Sequence, residues 1–232
     1  MALAVGLMQA ACASAGPQVR GTAAREARAD PSRVIAAELA FARLAQVKGQ
    51  WTAFARTSTS EAVMFVPQAV NAHQWLKGRA NPPTAVTWQP AQVWASCDGS
   101  LAVTRGPWQR PDGVGYFTTV WQRQRDGSFK WVLDQGDTLR QPLEVPEMIP
   151  AKVAECPSAG PGDSRRDRRS QLARATVRAP VCDGTQCSGG GASADGTLTY
   201  EYRTTISGRR LSVQLSQDGA LHEVLRSDVS AH

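Results

Sequence analysis

Six Asp-Gly dipeptides constrain the fold of this chain more than any other feature of its sequence. They begin at Asp98, Asp112, Asp126, Asp183, Asp195 and Asp218. Asp-Gly between alternating segments is a strong short signal for a β-hairpin, because both positions of its tight turn need positive φ. The first three turns predict an antiparallel sheet of about four to six strands. The last ones predict a separate three-stranded meander near the C-terminus.

The tryptophans divide the chain in the same way. All seven lie between positions 51 and 131, and the C-terminal region has none. Large rings bury much apolar area and need a partner for each indole N–H, so their clustering marks a domain with a ring-rich interior. The meander carries apolar residues on one face only. Three strands alone are marginally stable, so we expect this face to pack on the first domain or on a partner.

Two helices are expected before the strands. Asp30 as N-cap and Pro31 at the first helical position predict a helix start, and Gly49 predicts its end. The apolar residues that recur at helical spacing between them are Ile35, Leu39 and Ala42, flanked by Val34, Phe41 and Ala45. A second short helix should reach about residue 56, and a third short helix or ordered loop should lie within 71–79. Helices followed by strands indicate an α+β fold.

The first residues are typical of an export signal. Residues 1–15 are apolar and end in small residues suited to cleavage, although a basic start is missing. A rival interpretation makes Cys12 the lipidated first residue of a bacterial lipoprotein, but Gln9 stands where an aliphatic residue is usual. A polar leader, 16–29, would follow. Both interpretations place the protein in the periplasm or at the outer membrane, with membrane attachment only through a lipid on Cys12.

Four cysteines remain beyond the signal. In an exported protein such an even set indicates two disulfides. Cys182 and Cys187 enclose a short, glycine-containing loop and are the expected pair, which leaves Cys97 to bond Cys156. The spacing offers no second nearby pair for zinc, so no metal site is predicted.

A basic run at 164–169 concentrates the net charge of +6. Such a run can bind polyanions or form a solvated linker. Export separates the chain from cytoplasmic nucleic acid, so we expect no nucleic-acid partner and favour the linker, with attraction to anionic envelope components as a secondary role. The stretch 141–194 is predicted to be a Pro/Gly/Arg-rich linker that carries the disulfide loop, and the meander is predicted at 195–228.

Three segments after the two helices carry a family resemblance. They are AVMFVP at 62–67, NAHQWLKGR at 71–79 and GSFKWVLDQGD at 127–137. In this order they resemble the nuclear transport factor 2-like superfamily, which includes ketosteroid isomerase and polyketide cyclases. The resemblance covers about 30–140. It implies a strongly curved antiparallel sheet wrapped against the helices as a cone, with an apolar pocket inside and a homodimer through the sheet face.

The hairpin at Asp126 assigns side chains to the two faces of this sheet. If 126–127 is a two-residue turn, the concave face carries Phe129, Trp131, Leu133, Gln135 and Asp137 opposite Gln124, Gln122, Val120, Thr118 and Tyr116. Trp121 and Asp134 then face the other way. In many relatives the last strand places two histidines on the concave face. Both are absent here, so the resemblance supplies no histidine-based site.

The concave face offers one polar constellation, Asp137 opposite Tyr116. A carboxylate in an apolar cone has its charged form disfavoured, so it could abstract a proton next to a carbonyl while a tyrosine stabilises the oxyanion. His73 is a second candidate base. A solvated or turn-capping aspartate and a surface histidine are the ordinary alternatives.

The residues expected to line the pocket are Trp51, Phe54, Met64, Trp75, Trp94, Val120, Phe129, Trp131, Leu133 and Gln135, although rings of this kind also fill cores. The sequence carries no cofactor motif. We therefore expect an exported, non-catalytic domain of the bacterial cell envelope that binds a small apolar ligand or serves as an accessory domain. The alternative is a small lyase, isomerase or hydrolase acting on an apolar carbonyl substrate.

Overall fold

The computed structural model describes residues 29–157 and 174–231. The expected signal, Cys12 and the basic run lie outside these ranges. Three helices are described: α1 (Pro31–Lys48), α2 (Gln50–Thr57) and α3 (Ala72–Leu76). Asp30 caps α1 by accepting a hydrogen bond from the Ser32 N–H at 3.0 Å, and Gly49 follows its last turn, as the sequence predicts. No helix within the described ranges has the length and apolar character needed to cross a membrane.

The first sheet is mixed and larger than predicted. Its strands are β1 (Ser58–Phe65), β2 (Ala69–Asn71), β3 (Thr87–Trp88), β4 (Gln92–Ala95), β5 (Leu101–Arg110), β6 (Gly113–Arg123), β7 (Phe129–Leu139) and β8 (Ala151–Val153). Their order is β2-β1-β7-β6-β5-β4-β8, with β3 beside β5. The pairings of β1 with β7 and of β4 with β8 are parallel. Parallel neighbours need long connections, so the hairpin signals could not reveal them.

The second sheet has five strands where the sequence predicted three. They are β9 (Thr176–Cys182), β10 (Cys187–Ala192), β11 (Leu198–Thr205), β12 (Gly208–Gln217) and β13 (Ala220–Ser230), paired antiparallel in the order β13-β12-β11-β10-β9. The predicted linker 141–194 therefore contains β8, β9 and β10, so the prediction of a linker was wrong for these three strands.

Glycines in β10 caused this error. A Cβ on Gly189 would lie 2.4 Å from the Tyr202 hydroxyl oxygen, and one on Gly191 would lie 2.7 Å from the Tyr200 ring. These glycines let rings of the neighbouring strand pack over the backbone, which is a role of glycine inside strands and not only in linkers.

The molecule has three layers. The helices cover one face of the first sheet, and the second sheet covers the other face, as expected for the apolar face of the meander. Two hairpin loops join the sheets: the Asp98 N–H donates to Asp195 Oδ2 at 2.8 Å, and the Ala194 N–H donates to Ser100 Oγ at 2.9 Å. Both expected disulfides, Cys97–Cys156 and Cys182–Cys187, are present.

The hairpin between β6 and β7 differs from its predicted form. The Gln124 N–H donates to the Ser128 carbonyl at 2.7 Å, so the loop holds three residues. A β-bulge at Val132 then shifts the register, which pairs Trp121 with Trp131 but Val120 with Leu133. Trp131 therefore lies on the helix-facing side together with Trp121, and the predicted separation of these two rings onto opposite faces was wrong.

Candidate functional site

A pocket of about 720 Å³ lies beside the second half of β7. β1 pairs with β7 only as far as Met64 opposite Asp134, so within the described residues this side of β7 has no strand partner beyond Asp134. The pocket occupies the gap and therefore reaches both the helix layer and the second sheet. Six rings line it: Phe41, Phe54, Phe65, Trp88, Trp108 and Phe117.

The rings on the helix side pack edge to face. The ring of Phe41 lies 4.8 Å from that of Phe54 and 4.8 Å from that of Trp88, measured between centroids. Edge-to-face pairs at such distances are favourable beyond their buried area. The apolar wall is thus held by contacts among its own members.

A buried glutamate holds one tryptophan of this wall and a second tryptophan behind it. Glu38 of α1 is fully buried, and it accepts hydrogen bonds from Trp88 Nε1 at 2.7 Å, Trp121 Nε1 at 3.0 Å and Thr104 Oγ1 at 2.5 Å. Burial raises the pKa of the Glu38 carboxyl, and the hydrogen bonds oppose that rise only in part. One side chain of α1 therefore ties together β3, β5 and β6.

Asp134 is the carboxyl group that meets the pocket on the helix side. It is half-buried, it lines the pocket, and its Oδ2 accepts a hydrogen bond from Thr119 Oγ1 at 2.8 Å. Burial, with a smaller contribution from the charge of Glu38, raises the pKa of Asp134 to about 8. A carboxyl group with such a pKa can both give and take a proton near neutral pH. Sequence analysis had placed Asp134 away from the site.

The second sheet supplies the facing wall of the pocket. Arg209 of β12 donates from Nε to Gln135 Oε1 at 3.1 Å and from Nη2 to the Gly136 carbonyl, and its guanidinium carbon lies 5.3 Å from the centre of the Phe65 ring. Burial lowers the pKa of Arg209. Ile206, in the loop between β11 and β12, also lines the pocket and is 87% exposed.

The predicted pair of Asp137 and Tyr116 is adjacent in register but does not form a joint site. The two residues are cross-strand partners, as the turn count required. However, the Tyr116 hydroxyl is hydrogen-bonded to Ser227 Oγ at 2.7 Å, and Asp137 Oδ1 accepts from the Thr138 N–H at 2.8 Å. Asp137 lines the pocket and Tyr116 does not. The hydroxyl of Tyr116 is hydrogen-bonded to the second sheet. Sequence analysis had not placed the second sheet against the face that carries Tyr116.

The predicted base His73 lies outside the pocket. It is exposed on α3, and its Nε2 is 2.9 Å from Ser58 Oγ. Throughout the residues that the structure describes, no group of three His, Cys, Asp or Glu side chains is arranged to hold a metal ion.

Of the residues predicted to line the pocket, Phe54 and Gln135 do so. The other eight lie elsewhere. Trp94, Val120 and Leu133 pack against the second sheet, and Met64 and Trp131 fill the helix-side core. Trp51 and Trp75 pack edge to face, 5.3 Å apart, and Phe129 packs on the helix-side core. The bulge in β7 and the covered second face explain most of these differences.

No family model and no curated protein sequence matches the chain. Among the solved structures that resemble it, three do so over about half of its length. A protein described as a ketosteroid isomerase from Parabacteroides distasonis is 14% identical, with a TM-score of 0.38, over 50% of this chain and 98% of its own. An aromatic ring hydroxylase from Novosphingobium aromaticivorans is 12% identical, with a TM-score of 0.36, over 49% and 92%.

The third is a calmodulin-dependent kinase II association domain from Exiguobacterium sibiricum. It is 13% identical, with a TM-score of 0.33, over 48% of this chain and 96% of its own. Similarity at this level assigns no function. The chain itself has an α+β architecture of helices on a large sheet, and membership of the nuclear transport factor 2-like superfamily stays a prediction.

Proposed function

We propose that this chain is an exported domain of nuclear transport factor 2-like type that binds a small, mainly apolar ligand. The pocket of about 720 Å³ with six lining rings carries this proposal. Small-molecule sites are concave, of similar volume and mostly apolar, with a few convergent polar groups. Among the polar groups here are Asp134 from the first sheet and Arg209 from the second.

The support behind the rings favours a binding site over a loosely filled core. Glu38 holds Trp88 of the wall, and Trp121 behind it, by hydrogen bonds, so this part of the wall is set before any ligand arrives. A preformed wall reduces the ordering cost of binding. A ligand could therefore enter without a rearrangement of the helix layer.

Filling the pocket tests the proposal. Val86 lines the pocket, and its backbone is anchored by Gln50 Oε1, which accepts from its N–H at 3.1 Å. Fluorescence titration with N-phenyl-1-naphthylamine, a neutral apolar dye, should show saturable binding to the wild type. V86W should weaken binding about tenfold or more, because a ring would occupy the space of the ligand. V47W is the control, since Val47 is 64% exposed on α1.

Two results would count against a binding function. They are the absence of saturable dye uptake by the wild type, and equal effects of V86W and V47W.

Export is supported by the two disulfides, which persist in oxidising compartments. Peptide mapping without reductant, on protein recovered from cell-envelope fractions of its own host, should show Cys97 bonded to Cys156 and Cys182 bonded to Cys187. Free thiols at these four positions, or recovery from the cytoplasmic fraction alone, would overturn this part of the proposal.

The raised pKa of Asp134 favours a second function, acid–base catalysis on a bound carbonyl compound. A carboxyl with a pKa of about 8 in a ring-lined pocket can remove a proton next to a carbonyl group. The measurement is NMR-detected deuterium exchange at the α-carbon of 2-tetralone, an apolar ketone, in the presence of the protein. D134N should abolish any exchange that the wild type catalyses, whereas D137N should keep it. If D134N still catalyses deuterium exchange, Asp134 is not the catalytic base.

A further inference from the structure

The second sheet contributes a complete wall to the pocket. Thr205, Ile206 and Arg209 from the β11–β12 hairpin line it, together with Val229 and Ser230 at the end of β13. These residues lie outside the segment 30–140 on which the superfamily resemblance rests. The superfamily resemblance therefore implies nothing about the chemistry of this wall, which carries information of its own about the ligand.

Arg209 is the unusual member of this wall, because its charge has no counterion close by. Its hydrogen bonds go to neutral acceptors, the side-chain oxygen of Gln135 and the carbonyl of Gly136. No carboxylate within the described ranges lies within ion-pair distance of it. Asp137 attracts it from further away and forms no ion pair with it. A cation removed from water without a counterion is costly.

Two other arginines nearby are paired with acids. Arg110, which also lines the pocket, pairs with Asp112 at 2.7 Å, and Arg210, the next residue after Arg209, pairs with Asp228 at 2.5 Å. Both of those pairs are largely exposed to solvent. The arginine that is more buried and faces the pocket is thus the one without a partner acid.

We propose that the ligand carries a monoanionic head group, such as a carboxylate, which binds Arg209 while its apolar body lies among the rings. This inference rests on the proposed binding function. A planar guanidinium with free N–H donors binds carboxylate-like groups at two points. The two hydrogen bonds to β7 fix the orientation of Arg209 beside the pocket. The negative charge of Asp137 in the same lining favours a single charge on the ligand over a double one.

Two dyes with the same ring system test this. N-phenyl-1-naphthylamine is neutral, and 8-anilino-1-naphthalenesulfonate adds one sulfonate. We expect the wild type to bind the sulfonate more tightly, and R209Q to weaken sulfonate binding about tenfold or more, the range for a hydrogen bond to a charged group. Binding of the neutral dye should stay within about twofold, because the apolar body keeps its contacts.

R203Q is the matched control. Arg203 lies exposed on β11 of the same sheet, outside this pocket but in a second groove that Arg209 also lines. If R203Q weakens sulfonate binding as much as R209Q does, or more, the anion binds in that groove and the proposal is wrong. V86W should weaken binding of both dyes, which places them in the same pocket.

The outcomes separate the two proposals. No saturable binding of the neutral dye to the wild type overturns the binding function itself. Binding of both dyes with an unchanged preference in R209Q overturns only the assignment of an anionic head group. If R209Q loses both dyes through misfolding, R209K decides: it keeps the charge, so a retained preference for the sulfonate supports the proposal and a lost preference contradicts it.

Discussion

The two faces of the first sheet are both buried, but by different chemistry. Towards the helices, aromatic rings surround two carboxyl groups, Glu38 and Asp134, and every polar hydrogen of Trp88, Trp121 and Trp131 has an acceptor. Towards the second sheet the core consists mainly of valine, leucine and tyrosine. There the indole N–H of Trp94 and the hydroxyl of Tyr202 are buried with no partner among the described residues.

This contrast separates a face that stabilises the fold from a face that can act on a ligand. Buried polar groups cost free energy unless they are hydrogen-bonded, so a chain that places two carboxyl groups in its helix-side core must hold them by specific partners. One of these partners, Trp88, is itself a ring of the pocket. On the second-sheet side the buried polar contacts, such as Tyr116 with Ser227 and Gln135 with Arg209, involve no carboxyl group, and apolar burial is the main contribution.

The largest effect that would sharpen this comparison concerns the disulfides. Cys97 lies in the hairpin where the sheets meet, and its bond to Cys156 spans 59 residues, whereas Cys182–Cys187 spans 5 at the far end of the second sheet. Replacing the first pair by serine should lower the free energy of unfolding by about 4 kcal/mol, and replacing the second by about 2 kcal/mol. Urea unfolding of both variants measures this; equal losses would contradict it.

Removal of Glu38 is expected to have the next largest effect. E38A leaves the buried indole N–H of Trp88 without its acceptor and removes the carboxyl group from Trp121 and Thr104, which keep only Thr104 Oγ1 at 3.0 Å and the Thr119 carbonyl at 3.4 Å. This loss should lower the free energy of unfolding by about 3 kcal/mol. E38Q keeps a side-chain oxygen and should lose less. E61A, at an exposed glutamate of β1, is the control in the same urea titrations. If E38A were as stable as E61A, the hydrogen bonds of Glu38 would not support the helix-side face.

Glu38 also explains why sequence analysis centred the apolar stripe of α1 on the wrong residues. The pattern pointed to Ile35, Leu39 and Ala42, flanked by Val34, Phe41 and Ala45. The buried residues are Val34, Glu38, Phe41 and Ala45, and Leu39 is 46% exposed. A charged residue in the middle of the buried stripe breaks the apolar periodicity by which such a stripe is recognised. This interruption of the apolar pattern is a local signal of the site. The hydrogen-bond partners of Glu38 on β3, β5 and β6 are too distant in sequence to be inferred.

Local signals were otherwise read correctly. Each of the six Asp-Gly dipeptides lies at a connection between consecutive antiparallel strands, and the cap of α1 and both disulfides are as expected. The turn type was less predictable. Only Asp218-Gly219 has positive φ at both positions within the described residues, while the three-residue loop at Asp126 and the bulge at Val132 moved Trp131 to the other face. One inserted residue reverses the facing of the residues that follow.

Asp134 allows a pH test of the polar face. Its pKa of about 8 in the folded state lies above the ordinary value of 3.8. At a pH between these two values, the folded state therefore holds a proton that the unfolded state releases. Its contribution to stability is therefore full at low pH and is lost as pH rises through this window, by up to about 1.4 kcal/mol per pH unit. Burial raises the pKa of Glu38 as well and acts in the same direction.

D134N should reduce this slope, measured by urea unfolding at several pH values between about 5 and 8. D137N, on the same strand, is the control. If both variants change the slope equally, the burial of Asp134 is not its cause, and the distinction between the two faces loses its electrostatic basis.

The smallest expected effect tests whether the second sheet serves the pocket or only covers the first sheet. Ile206 is 87% exposed, so I206S should leave the free energy of unfolding almost unchanged. Because its side chain lines the pocket, the loss of apolar contact should weaken binding of N-phenyl-1-naphthylamine by about fivefold, equivalent to about 1 kcal/mol. L221S, at the β12–β13 turn and outside the pocket, is the control. Equal dye affinity in I206S and L221S would leave Ile206 without a role in binding, and the second sheet would then be a structural cover.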